Sequence, residues 1–202
     1  GTDGALSTGN NTIKLMGGDL RVSLAAGIWG GVDTQYANRN LEIASGNSTF
    51  RTSSLSGGSY GRVTLNNISI YDSERVFSVN TIGTLFTDVA VNNITFVNTA
   101  ASAINQYLDV GFDNSFQAGA GMLTVNGVIS QTGVAAVNLQ KRQGGVLILN
   151  SDNTYDGTTN VQQGRLVIAH TGAAGDAGSM INMNTNSDRR SDLEFRFDGA
   201  GP

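Results

Sequence analysis

Short runs in which apolar and polar residues alternate recur along most of the chain. They include Arg62-Val63-Thr64-Leu65, Ile68-Ser69-Ile70, Val76-Phe77-Ser78-Val79, Val89-Ala90-Val91 and Ile94-Thr95-Phe96-Val97. Further on come Met122-Leu123-Thr124-Val125, Val146-Leu147-Ile148-Leu149, Gly164-Arg165-Leu166-Val167-Ile168 and Leu193-Glu194-Phe195-Arg196-Phe197. A period of two puts one face of an extended segment in a core and the other in water, so each run predicts a strand. No stretch of about 12 residues keeps a helical period, and only Ala100-Ala101-Ser102-Ala103-Ile104 has room for a single helical turn.

Two architectures use short, evenly spaced strands. A sandwich joins antiparallel strands through hairpins, for which Asn126-Gly127 and Asp156-Gly157 have the right chemistry. A solenoid stacks coils, so that each inward residue meets its equivalent one rung away. Solenoid corners favour Asn and Thr, whose side chains form ladders, and Gly where the backbone needs a positive φ. Asn10-Asn11, Asn66-Asn67 and Asn92-Asn93 suggest such corners.

Composition sharpens the picture. Of 202 residues, 27 are Gly, 14% are charged and only one is Pro, which describes an ordered, turn-dense β-protein rather than a linker. The net charge of −4 and the lack of a basic stripe argue against nucleic acid as a partner. There is no cysteine, hence no disulfide and no thiolate metal site. No run of about 18 apolar residues is present to form a transmembrane segment. Gly1-Thr2-Asp3-Gly4 lacks the regions of a signal peptide, and both ends read as interior sequence, implying a segment of a larger protein or assembly.

Residues Met122 to Gly178 carry a longer pattern. Asn126, Gly127, Ile129 and Ser130 open it, and Leu139, Lys141, Gly145, Leu147 and Leu149 form its middle. Asn153, Thr154, Tyr155, Gly157, Thr159, Val161, Gly164 and Leu166 form its end. This segment resembles the autotransporter-associated β-strand repeat, also called the passenger-associated transport repeat, of large exported bacterial surface proteins. Gln143 and Ser151 replace two glycines of that pattern, which puts the local turn chemistry in question. Ser73-Glu74-Arg75-Val76-Phe77-Ser78-Val79 faintly resembles a segment found upstream of such repeats. The resemblance implies a structural role linked to export and folding.

The residues support that reading on their own terms. Val146–Leu149 forms one rung, Ser151-Asp152-Asn153-Thr154 leaves it, and Tyr155 caps the core edge. Asp156-Gly157 turns the chain, Thr159 and Val161 begin a strand, and Gly164 marks a corner before the next rung about 19 residues on. Solenoid repeats of roughly 20–30 residues predict roughly 7–10 coils. At about 4.8 Å per rung they make a rod on the order of 35–45 Å long.

Candidate chemistry is thin. His170, the single histidine, follows an apolar strand with no nucleophile elbow nearby and reads as a turn residue. The pairs Asp109/Asp113 and Asp152/Asp156 have the spacing for glycoside hydrolysis, which needs carboxyls about 5–10 Å apart, but sit where Asp is a routine turn residue. Asp188-Arg189-Arg190-Ser191-Asp192, with Glu194, reads as a solvated loop. Calcium is the only cofactor left open, at Gly17-Gly18-Asp19 and Gly175-Asp176, without the nonapeptide array of a calcium β-roll. Asn47-Ser48-Thr49, Asn67-Ile68-Ser69 and Asn93-Ile94-Thr95 are formal glycosylation sequons. Trp29 reads as a packed anchor, with Trp29, Tyr107 and Tyr155 as the candidate platforms for a sugar.

The chain is therefore expected to be all-β, a right-handed parallel β-helix (β-solenoid) with negligible helix. Coils at 1–120 are less regular, 122–178 is the recognisable repeat, and 179–202 continues the stack. The expected function is a structural or adhesive segment of a bacterial surface protein, without catalysis. Its partners are adjacent coils, identical subunits stacked end to end, or host or matrix glycans. The alternative is a carbohydrate-active β-helix enzyme or a glycan-binding module.

Overall fold

The structure, a computed structural model, describes residues 12–24, 31–33, 39–54, 61–72, 75–81, 87–111, 121–176, 178–184 and 190–197. Among these there is no helix. In chain order the strands are β1 (Thr12–Leu15), β2 (Gly18–Leu24), β3 (Gly31–Asp33), β4 (Asn40–Ile43), β5 (Ser48–Ser54) and β6 (Gly61–Tyr71). They continue with β7 (Val76–Thr81), β8 (Thr87–Val97), β9 (Ile104–Val110), β10 (Met122–Val125), β11 (Ile129–Thr132) and β12 (Val137–Arg142). The last are β13 (Val146–Leu149), β14 (Thr159–Val161), β15 (Gly164–Ile168), β16 (Ile181–Met183) and β17 (Ser191–Phe195).

Every pair of these strands is parallel, and partners lie a coil apart in sequence. One sheet runs β2-β5-β7-β9-β12-β14-β16, giving seven stacked rungs, the lower end of the expected range. The other holds ten strands and divides into two columns. The first halves of β6 and β8 pair with β3 and β10, while their second halves pair with β4 and β11. The switch falls at Asn66-Asn67 and Asn92-Asn93, two of the three pairs expected to mark corners, although the strands run through them unbroken; Asn10-Asn11 lies outside the described residues. One level up, at Asn126-Gly127, the strand itself breaks into β10 and β11. Asn126-Gly127 therefore joins two strands that pair with the same neighbour in parallel, and the hairpin reading of it is excluded. The all-β parallel solenoid is the fold.

Inward positions repeat from rung to rung. Val63, Val89, Leu123, Leu147 and Leu166 stack in one column, and Leu41, Ile68, Ile94 and Ile129 in another. All are buried and belong to a single core cluster drawn from both sheets. The coil step varies along the chain: it is 26 residues between Asn67 and Asn93, 34 between Val89 and Leu123, 24 between Asn126 and Asn150, and 27 between Leu166 and Leu193. The shortest step is the 19 read from the sequence, between Leu147 and Leu166. In these tight coils the β11 position is taken by Asn153-Thr154-Tyr155, which pairs without forming a regular strand: Thr154 N–H donates to Ile129 O at 2.9 Å, and Asp176 N–H to Tyr155 O at 3.0 Å.

Candidate functional site

The residues of the repeat pattern converge on coil-to-coil fastening. Lys141 occupies an inward position of β12, in register with Leu108 below and Val161 above. Its side chain is fully buried. The stem fills a core column, and Nζ donates to the carbonyls of Arg142 (2.9 Å), Gln143 (2.7 Å) and Gln163 (2.9 Å). All three ammonium protons are thus spent on backbone oxygens of its own corner and the next one. Burial pushes the Lys141 amine from its ordinary 10.5 down to about 7, against the pull of the Asp109 carboxylate.

Asn153 ties three levels together: Oδ1 accepts from Ile129 N–H at 2.7 Å, and Nδ2 donates to Ala173 O at 2.6 Å. Tyr155 is fully buried, edge-on to Phe96 with ring centroids 6.3 Å apart. Its hydroxyl meets Thr159 Oγ1 at 2.5 Å and donates to Ala174 O at 3.1 Å, and burial pushes the phenol up to about 12. Leu147, Leu149, Val161 and Leu166 line the core beside them. Thr154 faces solvent and contributes through its backbone.

Two causes act on the glycines, and both act at Gly164, where a Cβ would stand 2.4 Å from Gln143 O. Gly164 has φ +77°, the left-handed conformation expected of a corner. Gly127, Gly145 and Gly157 do not. There the neighbouring rung passes too close for a side chain: a Cβ at Gly157 would stand 2.2 Å from Val137 O, and one at Gly145 2.6 Å from Val110 O. Gln143, standing where the repeat pattern has glycine, still takes φ +64°. The turn keeps its glycine geometry with a side chain imposed on it.

The candidate carboxylates are placed as follows. Asp109 is buried and held by Arg142 through two hydrogen bonds (2.7 and 2.8 Å), with Gln143 Nε2 at 3.3 Å. Both of its oxygens are engaged by the neighbouring coil, as expected of a buried structural ion pair. Asp113 lies outside the described residues. Asp152 and Asp156 are both exposed. His170 Nδ1 is 3.5 Å from Asp152 Oδ1, yet it also accepts the Gly172 N–H at 3.3 Å. Both side chains are exposed, and neither is aimed at an apolar or enclosed site. Asp192 and Glu194 meet Arg165 in an exposed network, with Arg196 on Glu194 at 2.6 Å; Asp188 and Arg189 lie outside the described residues. No group of three His, Asp or Glu gathers among the described residues, Asp19 and Asp176 included. Of the sugar platforms, Tyr155 is inside the core, Tyr107 has the Arg142 guanidinium over its ring at 4.2 Å, and Trp29 lies outside the described residues.

The side-chain ladders expected at the paired asparagines are present, but the sequence did not give their register. Asn92 Nδ2 donates to Asn66 Oδ1 at 3.1 Å, Asn66 Nδ2 to Asn40 Oδ1 at 3.0 Å, and Asn150 Nδ2 to Asn126 Oδ1 at 3.1 Å. Asn93 Oδ1 accepts Val128 N–H at 2.9 Å. The signal was present as paired asparagines, but their spacing is uneven because coil length changes.

The class defined by these features is a parallel β-solenoid whose motif chemistry serves the stack itself. Residues 139–168 match the family model of the passenger-associated-transport-repeat. The matched segment begins within β12 and ends with β15, and is similar to a passenger-type transport repeat. Comparison with curated proteins found no match, and comparison with solved structures found none.

Proposed function

We propose that the chain is a non-catalytic, load-carrying stretch of an autotransporter-type passenger, working outside the bacterial cell or on its surface as a rigid stalk or adhesive rod. The observation that carries this reading is that the matched segment coincides with coils in which nearly every motif residue fastens one rung to the next. Lys141, Asn153, Tyr155 and Gly157 each bond or fit against a neighbouring coil, and none presents reactive chemistry to solvent. The chain is read as one continuous solenoid segment of a larger protein, its neighbours being further coils or identical subunits end to end. Host or matrix glycans are the ligands an adhesive rod of this kind would meet.

Antibody labelling of intact producing cells tests the location: labelling without lysis is expected, and labelling only after lysis would refute it. Sedimentation over a concentration series tests end-to-end association of the isolated chain. Growth into fibres is expected, and a dispersed monomer at all concentrations would remove the filament from the proposal.

A further inference from the structure

We infer that the corner Asn126-Gly127 is a chemical modification site that the stacked solenoid silences and the unstacked chain exposes. It is the only Asn-Gly pair in the sequence. With no side chain on residue 127, the Gly127 nitrogen is free to attack Cγ of Asn126. A new N–Cγ bond closes a five-membered succinimide, and the Cγ–Nδ2 bond breaks. Nδ2 leaves as ammonia, taking up the proton that Gly127 N gives away. Water then opens the ring at either carbonyl, yielding Asp or isoaspartate.

Asn126 is exposed, so burial does not protect it. Its protection comes from the neighbouring coils. Gly127 N–H donates to Asn92 O at 2.6 Å, and Asn126 N–H to Val91 O at 2.9 Å. On the other side of the corner, Val128 N–H donates to Asn93 Oδ1 at 2.9 Å. Asn126 Oδ1 is held from the next coil by Asn150 Nδ2 at 3.1 Å. For the attack, Gly127 N must shed its proton, leave Asn92 O and swing toward Asn126 Cγ. The flanking bonds oppose each motion, so reaction requires the fifth coil to lift from the fourth. The rate in the folded chain is then the unfolded rate multiplied by the small fraction of time that corner is open.

The product also bars return. Isoaspartate routes the backbone through an additional methylene between residues 126 and 127. The corner has no slack for it: even a Cβ on Gly127 would stand 2.3 Å from Asn93 Oδ1 and 2.6 Å from Asn92 O. A chain modified while unstacked is thereby marked as unable to close this rung. The inference concerns the chain itself and holds whether or not the passenger role does.

The test incubates the chain in mildly alkaline buffer, folded and in guanidinium chloride, and quantifies Asp and isoaspartate in the peptide spanning 126–127 by mass spectrometry. In denaturant, Asn126 is expected to react before the chain's other asparagines. In the folded chain it should react at least about 100-fold more slowly. Equal rates in the two states, or no preference for Asn126 in denaturant, would overturn the inference. Isoaspartate-bearing chain returned to native buffer should show a lowered melting temperature and new protease cleavage near residue 126; refolding with an unchanged melting temperature would refute the blocking step.

Discussion

Lys141 stands where its column calls for a hydrocarbon, between Leu108 and Val161. An ammonium is tolerated there because three carbonyls receive it, and removing it leaves those carbonyls dry. Lys141→Met is therefore expected to lower stability by about 2–4 kcal/mol, measured by denaturant unfolding. The pH dependence carries a definite sign. The unfolded chain keeps this proton up to its ordinary 10.5, whereas the folded chain releases it near 7. Between those values the unfolded state binds more protons, so this group makes stability rise with pH. The wild type should gain on Lys141→Met between pH 7 and 10; a parallel pH dependence of the two would contradict the assignment. At Gln143, φ +64° burdens a residue with a Cβ. Gln143→Val should cost about 1–2 kcal/mol while Gln143→Gly stays within about 1 kcal/mol of wild type. The resemblance singled out Lys141 and flagged Gln143, but the roles lay beyond it. Which carbonyls surround Lys141 depends on a corner 22 residues further on.

Strands were legible one by one, since alternation is a property of five consecutive residues. Their pairing was not, because each partner lies a coil away and coil length drifts. Local chemistry at Asn126-Gly127 and Asp156-Gly157 allowed hairpins, and only the long-range register turned both into corners of a parallel stack. Glycine usage was half legible: positive φ at Gly164 follows from corner chemistry, whereas Gly127, Gly145 and Gly157 answer to a passing rung that no local reading shows. Gly157→Ala is accordingly expected to cost about 1–3 kcal/mol through the clash with Val137 O, with no left-handed strain involved. In the ladders, Asn93→Ala should cost about 1–2 kcal/mol by stranding the Val128 N–H, and the exposed Asn92→Ala less than about 0.5 kcal/mol. Equal effects at the two sites would contradict the register.

At the scale of the molecule, stability is a sum over coils and their interfaces. The middle coils bury their columns fully, while Leu193 and Met183 in the last described rungs are only partly buried and Phe195 is 60% exposed. Amide exchange should therefore be slowest across β8 to β15 and faster in β1, β2, β16 and β17. The function proposed here rests on that stack rather than on any one pocket, so register is the claim to test. Glu42, Ser69, Thr95 and Ser130 form one outward column on successive rungs, and the chain has no cysteine of its own. Spin labels on Glu42→Cys/Ser130→Cys span three rungs and should give a narrow backbone separation of about 15 Å. A broad distribution, or one centred beyond about 25 Å, would contradict the solenoid register and the account built on it.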